Sequence, residues 1–131
     1  MMNWKKYAPF FYKYEFDCKC GCGKNEMKES TMDKLMIART SPKIFEAGIG
    51  FSISSGDRCL THNTKEGGGE RSTHPRGFAV DTKTYSKHMR YLILFALYEA
   101  GFERFGIGED FIHADDCTDD DKEQEVFWLY P

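Results

Sequence analysis

Apolar and polar positions recur with two different periods along this chain. In "FYKYEFDCKCGCG", Tyr12, Tyr14 and Phe16 alternate with Lys13, Glu15 and Asp17, which predicts an extended segment near the amino end. A helix is expected next: Ser30 and Asp33 in "STMD" have capping-box spacing, and Met32, Leu35 and Met36, with the stem of Arg39, share one face. Pro42 interrupts or restarts that helical run before Gly48. "GIGFSISSG" sets Ile49, Phe51 and Ile53 at alternate positions, a half-buried strand ending at Gly56. From Arg58 to Arg76 the chain holds "NTKEGGGE", whose consecutive glycines predict a loop, and "GFAVDT" then reads as a short strand. Ser86 is the expected N-cap and Gly101 the stop of the helix "SKHMRYLILFALYEAG", which is apolar enough to be buried on more than one face. The last third predicts strands at "FERFGI", "FIHAD" and "VFWLY", with the acidic loop "DDCTDDDKEQE" before the final one.

Because helices and strands do not alternate regularly, the expected fold is α+β, a mainly antiparallel sheet with flanking helices. The 131 residues are expected to form one domain, 1–131, and 40% apolar residues with 11 Phe and 7 Tyr supply a core. A net charge of −3 and the lack of a Lys/Arg cluster speak against nucleic acid as a partner. "YLILFALY" is far shorter than a membrane span, and the amino end lacks the apolar stretch of a secretory signal. The expectation is therefore no membrane association and cytoplasmic synthesis without export. Five cysteines cannot all pair within one chain, so reduced thiols are expected.

The chemistry begins at "RSTHPRGFAVD", where His74 and Asp81 are seven positions apart. On a helix they would be about 10.5 Å apart along the axis, against metal bonds of about 2 Å. A helical pair is excluded. Pro75 and Gly77 instead favour a turn that folds His74 back beside a strand carrying Asp81, with the small Ala79 leaving room next to it. A catalytic zinc needs three protein ligands and an open position, and His62, His88 and His113 are the candidates for the third. His113 is the best of these, because Phe111, His113 and Asp115 alternate along "GEDFIHAD" and share a face. His62 borders the glycine loop and His88 starts a helix, both ordinary places for a solvated histidine.

"SGDRC", "HN" followed by "GGG", "STHPRGFAVD", "AGFERFGIG" and "FIHAD" occur in an order and at separations that resemble peptidase family M15, the zinc D-Ala-D-Ala carboxypeptidases of peptidoglycan. "EFDCKCGCG" also resembles the leading segment of one branch of that family. The resemblance implies a hedgehog/DD-peptidase-like fold and a Zn2+ cofactor held by His74, Asp81 and His113, since Ser72, His74, Gly77, Ala79 and Asp81 match the pattern S-x-H-x-x-G-x-A-x-D position for position. It implies Asp110, three residues before the last histidine, as general base. Such a residue must lie on the turn after Gly108, since residues three apart on a strand face opposite ways; Glu109 is the fallback. Arg58 corresponds to the family arginine that binds substrate and stabilises the oxyanion, whereas Asp57 departs from the aromatic residue often found beside it. Ser72 either contacts substrate or caps the turn, and Asp115 is expected to orient a ligand from behind. The implied function is hydrolysis of an amide bond in the peptidoglycan stem peptide by a monomer acting on the cell wall after release, as a phage enzyme would. D-Ala-D-Ala carboxypeptidase activity leads, with L-alanyl-D-glutamate endopeptidase activity and a non-catalytic zinc module of hedgehog type as the alternatives.

Three other features are read more plainly. Cys18, Cys20 and Cys22, with Cys59 or Cys117, would make a structural zinc site, but their C-x-C-x-C spacing is not that of common zinc ribbons, and free thiols are the preferred reading. The run Asp115 to Asp121 lacks the glycine of a calcium-binding loop and is expected to be solvated. Trp128 and Tyr130 are expected to pack on the sheet.

Overall fold

A computed structural model describes residues 2–131. Its centre is a five-stranded sheet made of β1 (Ile53–Ser55), β2 (Ala79–Lys83), β3 (Arg104–Ile107), β4 (Phe111–Asp115) and β5 (Val126–Leu129), in the order β1-β2-β4-β3-β5. Every neighbouring pair is antiparallel except β3 and β5. The exception arises because the acidic loop crosses β3 at the end where β4 stops, so that β5 runs opposite to β4 and alongside β3. Helices α1 (Glu29–Arg39), α2 (Pro42–Ala47) and α4 (Lys87–Glu99) pack together, α4 against β4, while α3 (Leu60–Lys65) follows β1. The fold is α+β. No helix among the described residues is long and apolar enough to cross a membrane.

The period-two alternation of the strands divides the molecule. Val80, Ile112 and Ala114 face the helices and join Met32, Leu35, Ile93 and Leu97 in the core, where burial of each Leu or Ile side chain contributes about 1.5–3 kcal/mol. The opposite face carries polar residues in register. Asp81 lies opposite His113, His113 opposite Gly106, and Gly106 opposite Trp128, one row across four strands. In the next row Ala79 pairs with Asp115 and Asp115 with Arg104.

Several local expectations are corrected. The amino-terminal segment is not extended: 3-10 turns at Trp4–Tyr7 and Lys13–Phe16 bury Tyr7 and Phe16 while Tyr12 and Tyr14 stay exposed. The alternation there has no partner strand to pair with. Ser30 does not cap α1, which starts at Glu29 after Lys28; the Lys28 amide donates instead to the Gly77 carbonyl at 2.9 Å. The first strand starts only at Ile53, and the loop before Gly77 contains α3. Helix α4 buries a single face, Leu92, Ile93, Ala96 and Leu97, and leaves Tyr91, Phe95 and Tyr98 exposed on the other.

Asp57 ties the amino-terminal segment to the loop after β1. Fully buried, its carboxylate accepts from Lys24 Nζ at 2.8 and 2.9 Å, from the Glu26 amide at 2.6 Å and from the Arg58 amide at 3.0 Å. Asp57→Ala strands two amides and leaves Lys24 only Glu26 and the Pro75 carbonyl as partners. Because Lys24 is partly exposed, the expected loss is about 3 kcal/mol, at the low end for a broken buried pair. Thermal unfolding should show a Tm lower by about 10 °C.

Candidate metal centre

His74 begins a 3-10 turn, His74–Arg76, that Gly77 closes with φ of 81°. A Cβ on Gly77 would lie 2.1 Å from the Glu26 carbonyl oxygen, so glycine is required for both conformation and space. The turn lays His74 over β2, as expected for a turn feeding a strand. The Gly56 carbonyl can only accept, so His74 Nδ1, 2.8 Å away, carries the proton and Nε2 keeps its lone pair. On β4, His113 Nε2 donates to Asp115 Oδ2 at 2.8 Å, which leaves the lone pair on Nδ1. The two lone pairs face each other across 3.2 Å, and Asp81 Oδ1 lies 3.1 Å from His113 Nδ1 and 3.3 Å from His74 Nε2.

These three edges fit a metal. Ligands bound at 2.0–2.1 Å in a tetrahedron stand about 3.3 Å apart. The donor set is a neutral imidazole pair plus a carboxylate, which suits zinc. All three residues are buried, and acceptor atoms this close repel one another unless a cation or proton lies between them. The electrostatics report the same demand. Burial opposes charge on His113 and Asp81 alike, yet Asp115 and Asp81 together push His113 up to about 9, and the nearby His74 and His113 hold Asp81 well below the usual carboxylate range.

Asp115 orients His113 and is itself fixed by Arg104 Nε at 2.7 Å and Thr73 Oγ1 at 3.1 Å. On the other side, Trp128 packs over His113 with ring centroids 5.5 Å apart. Gly106 makes this possible, since a Cβ there would lie 2.6 Å from Trp128 Nε1. Trp128 thus does more than pack on the sheet. Asp115→Asn weakens the acceptor that sets the His113 tautomer, and metal affinity is expected to fall about 10- to 100-fold in a chelator-competition titration.

Arg58 approaches from the loop after β1. Its Nη2 reaches Asp81 Oδ2 at 3.3 Å, its Nε donates to Ser55 Oγ at 2.9 Å and its Nη1 to Asn63 Oδ1 at 3.2 Å. Asp81 is shared: one oxygen faces the histidines and the other faces Arg58. Asn63 Oδ1 also accepts from Ser72 Oγ at 3.1 Å, and Gly68 packs so closely on Asn63 that a Cβ would lie 2.4 Å from it. The glycine loop is therefore folded around the residue that steadies Arg58 and Ser72.

A cavity of about 370 Å³ opens over the trio, lined by Arg58, Ser72, His74, Asp81, His113 and Trp128 among others. An adjoining cleft of about 470 Å³ shares Arg58 and Asp81 and is bordered by Asp110. Glu109 and Asp110 are exposed in the turn between β3 and β4, where the Asp110 carbonyl accepts from the Thr84 amide. His62, on α3, sits near Glu66, and His88 is exposed at the start of α4; neither joins the trio. Much of the acidic run is paired, Asp119 and Asp121 with Arg76 and Asp116 with Lys34 and Thr31, while residues 118–121 remain exposed to solvent as expected. Thr73 went unassigned in sequence because its partners His113 and Asp115 are 40 and 42 residues away, and Asn63 because the contacts with Arg58 and Ser72 depend on how the glycine loop folds back. The Arg104 position opposite Asp115 on a neighbouring strand was the one available signal.

The family described as Peptidase M15 matches residues 9–115, a span that includes Arg58, Ser72, His74, Asp81, Asp110 and His113. No curated protein sequence matches the chain.

Proposed function

The chain belongs to the peptidase M15 family, and on that premise we propose that it is a zinc-dependent peptidase that removes the terminal D-alanine from the peptidoglycan stem peptide. The observation that carries this reading is the convergence of His74 Nε2, Asp81 Oδ1 and His113 Nδ1 at 3.1–3.3 Å beneath an open cavity that Arg58 also lines. Zinc held by these residues supplies Lewis acidity, polarising a carbonyl and acidifying water at neutral pH.

The chain's own groups do the rest. Arg58 uses three of its five N–H donors on Ser55, Asn63 and Asp81, and the other two serve the substrate carboxylate or the oxyanion of the tetrahedral intermediate. Asp110, at the border of the adjoining cleft, takes the proton from the attacking water and returns it to the leaving amine. Ser72, held by Asn63, contributes a hydroxyl to the substrate. Action is at the cell wall, after release of the chain from the cell that makes it.

The test is mass spectrometry of purified peptidoglycan fragments from several wall types, incubated with zinc-loaded protein or with the Asp110→Ala variant. Loss of a terminal D-alanine with wild type, and a rate lower by about 10²-fold or more in the variant, is the expected result. A new amino terminus at D-glutamate would assign endopeptidase cleavage instead, and unchanged fragments would assign a binding module.

A further inference from the structure

Four of the five cysteines meet. The sulfurs of Cys18, Cys20, Cys22 and Cys59 all lie within 4.8 Å of one another, with Cys18 to Cys20 at 3.5 Å and Cys20 to Cys59 at 3.7 Å. All are free thiols, and these separations are far from the roughly 2.05 Å of a sulfur–sulfur bond. They are close to the edge of a four-sulfur tetrahedron, about 3.8 Å for metal–sulfur bonds of 2.3 Å.

The convergence reverses what the spacing alone implied. In an extended strand, alternate residues stand about 6.6 Å apart along the chain, too far for three thiols to share an ion. Here residues 19–22 turn instead, and the Cys18 amide reaches the Lys24 carbonyl at 2.8 Å to close the curl. Gly21 and Gly23, at φ of 88° and 82°, supply the left-handed conformations the curl needs. The fourth thiol comes from the loop after β1, where Cys59 is the residue next to Arg58 and caps α3. Backbone amides already point at the sulfurs: Cys59 N donates to Cys18 Sγ at 3.3 Å and His62 N to Cys59 Sγ at 3.4 Å. Such donors steady negative sulfur, as ligands behind a thiolate–metal site do. Cys117 lies elsewhere, beside Arg76, and takes no part.

We propose that Cys18, Cys20, Cys22 and Cys59 form a second, structural zinc site, a closed four-thiolate tetrahedron separate from His74, Asp81 and His113. Each thiol passes its proton to solvent as its metal–sulfur bond forms, and nothing is oxidised or reduced. With four protein ligands the site has no open position for substrate. Its effect is mechanical: together with the Asp57 to Lys24 pair it clamps residues 18–24 to the loop that presents Arg58.

The test is a Co2+ titration of the reduced, metal-free protein under anaerobic conditions, on material whose near-ultraviolet dichroism matches the protein as purified. Two equivalents are expected to bind, one of them with the intense sulfur-to-cobalt charge-transfer absorption that a His, Asp, His set cannot give. The double variant Cys20→Ser/Cys59→Ser should lose that band and retain one equivalent; His113→Ala should keep the band and lose the other equivalent. Zinc should also slow alkylation of the exposed Cys20 and Cys22 without changing the labelling of Cys117. The proposal is overturned if wild type binds one equivalent without the charge-transfer band, or if peptide mapping of protein purified without oxidant finds these cysteines paired as disulfides. Neither result bears on the peptidase reading, because the His, Asp, His centre is followed separately through His113→Ala.

Discussion

His113→Ala should lose the metal of the His, Asp, His centre and, with it, hydrolysis. The substitution removes one of three ligands and with it two edges of the triangle, leaving only Asp81 Oδ1 facing His74 Nε2. Loss of a Lewis acid that contributes several kcal/mol to the transition state corresponds to a fall in kcat/KM of about 10³-fold or more. The scaffold should persist, because Asp115 keeps Arg104 and Thr73 as partners and the opposite sheet face stays packed on the helices. Metal content by atomic emission, set beside the dichroism spectrum and the rate on a stem peptide, checks this. Full activity in a variant lacking that metal would remove the trio from catalysis.

Arg58→Ala is expected to be the second large effect. One side chain links Ser55, Asn63 and Asp81 and also lines the cavity, so its loss removes donors from the substrate and loosens the carboxylate that completes the metal set. The expected fall in kcat/KM is about 10²- to 10³-fold. How it divides is informative: a rise in KM alone would mean that Arg58 binds the substrate carboxylate in the ground state, whereas a fall in kcat would mean that it acts on the oxyanion. Arg58→Lys should recover little, because a single ammonium cannot span three partners and the substrate with the geometry of a guanidinium fork. Steady-state kinetics on both variants, with metal content held equal, makes the comparison.

The grouping of His74, Asp81 and His113 was readable in sequence mainly through the match to S-x-H-x-x-G-x-A-x-D, with local signals that favoured His113 over His62 and His88 as the third member. Pro75 and Gly77 announce a turn, the small Ala79 and the acidic Asp81 sit at strand spacing, and His113 alternates with apolar residues on another strand, so register does the rest. The sheet was legible locally: period-two alternation in "FIHAD" and "VFWLY" survives into β4 and β5. Alternation misled where no strand waited to pair. Tyr12, Tyr14 and Phe16 are spread over a 3-10 turn because the turn buries Phe16 against Trp4 and Phe11. The capping signal at Ser30 was overridden by a tertiary bond from Lys28 to Gly77, and α4 proved apolar on both faces but buried on one. The cysteines show the limit most clearly. Nothing local says that Cys59 returns to a curl built on two left-handed glycines, and only long-range structure brings the four sulfurs together.

The most direct test of the central claim is to follow a defined stem pentapeptide by mass spectrometry during incubation with zinc-loaded wild-type protein. The account predicts stoichiometric accumulation of the tetrapeptide and free D-alanine, at a rate that rises with zinc occupancy of the His74, Asp81 and His113 centre. An intact pentapeptide, in the presence of protein whose centre is shown to hold zinc, would contradict it.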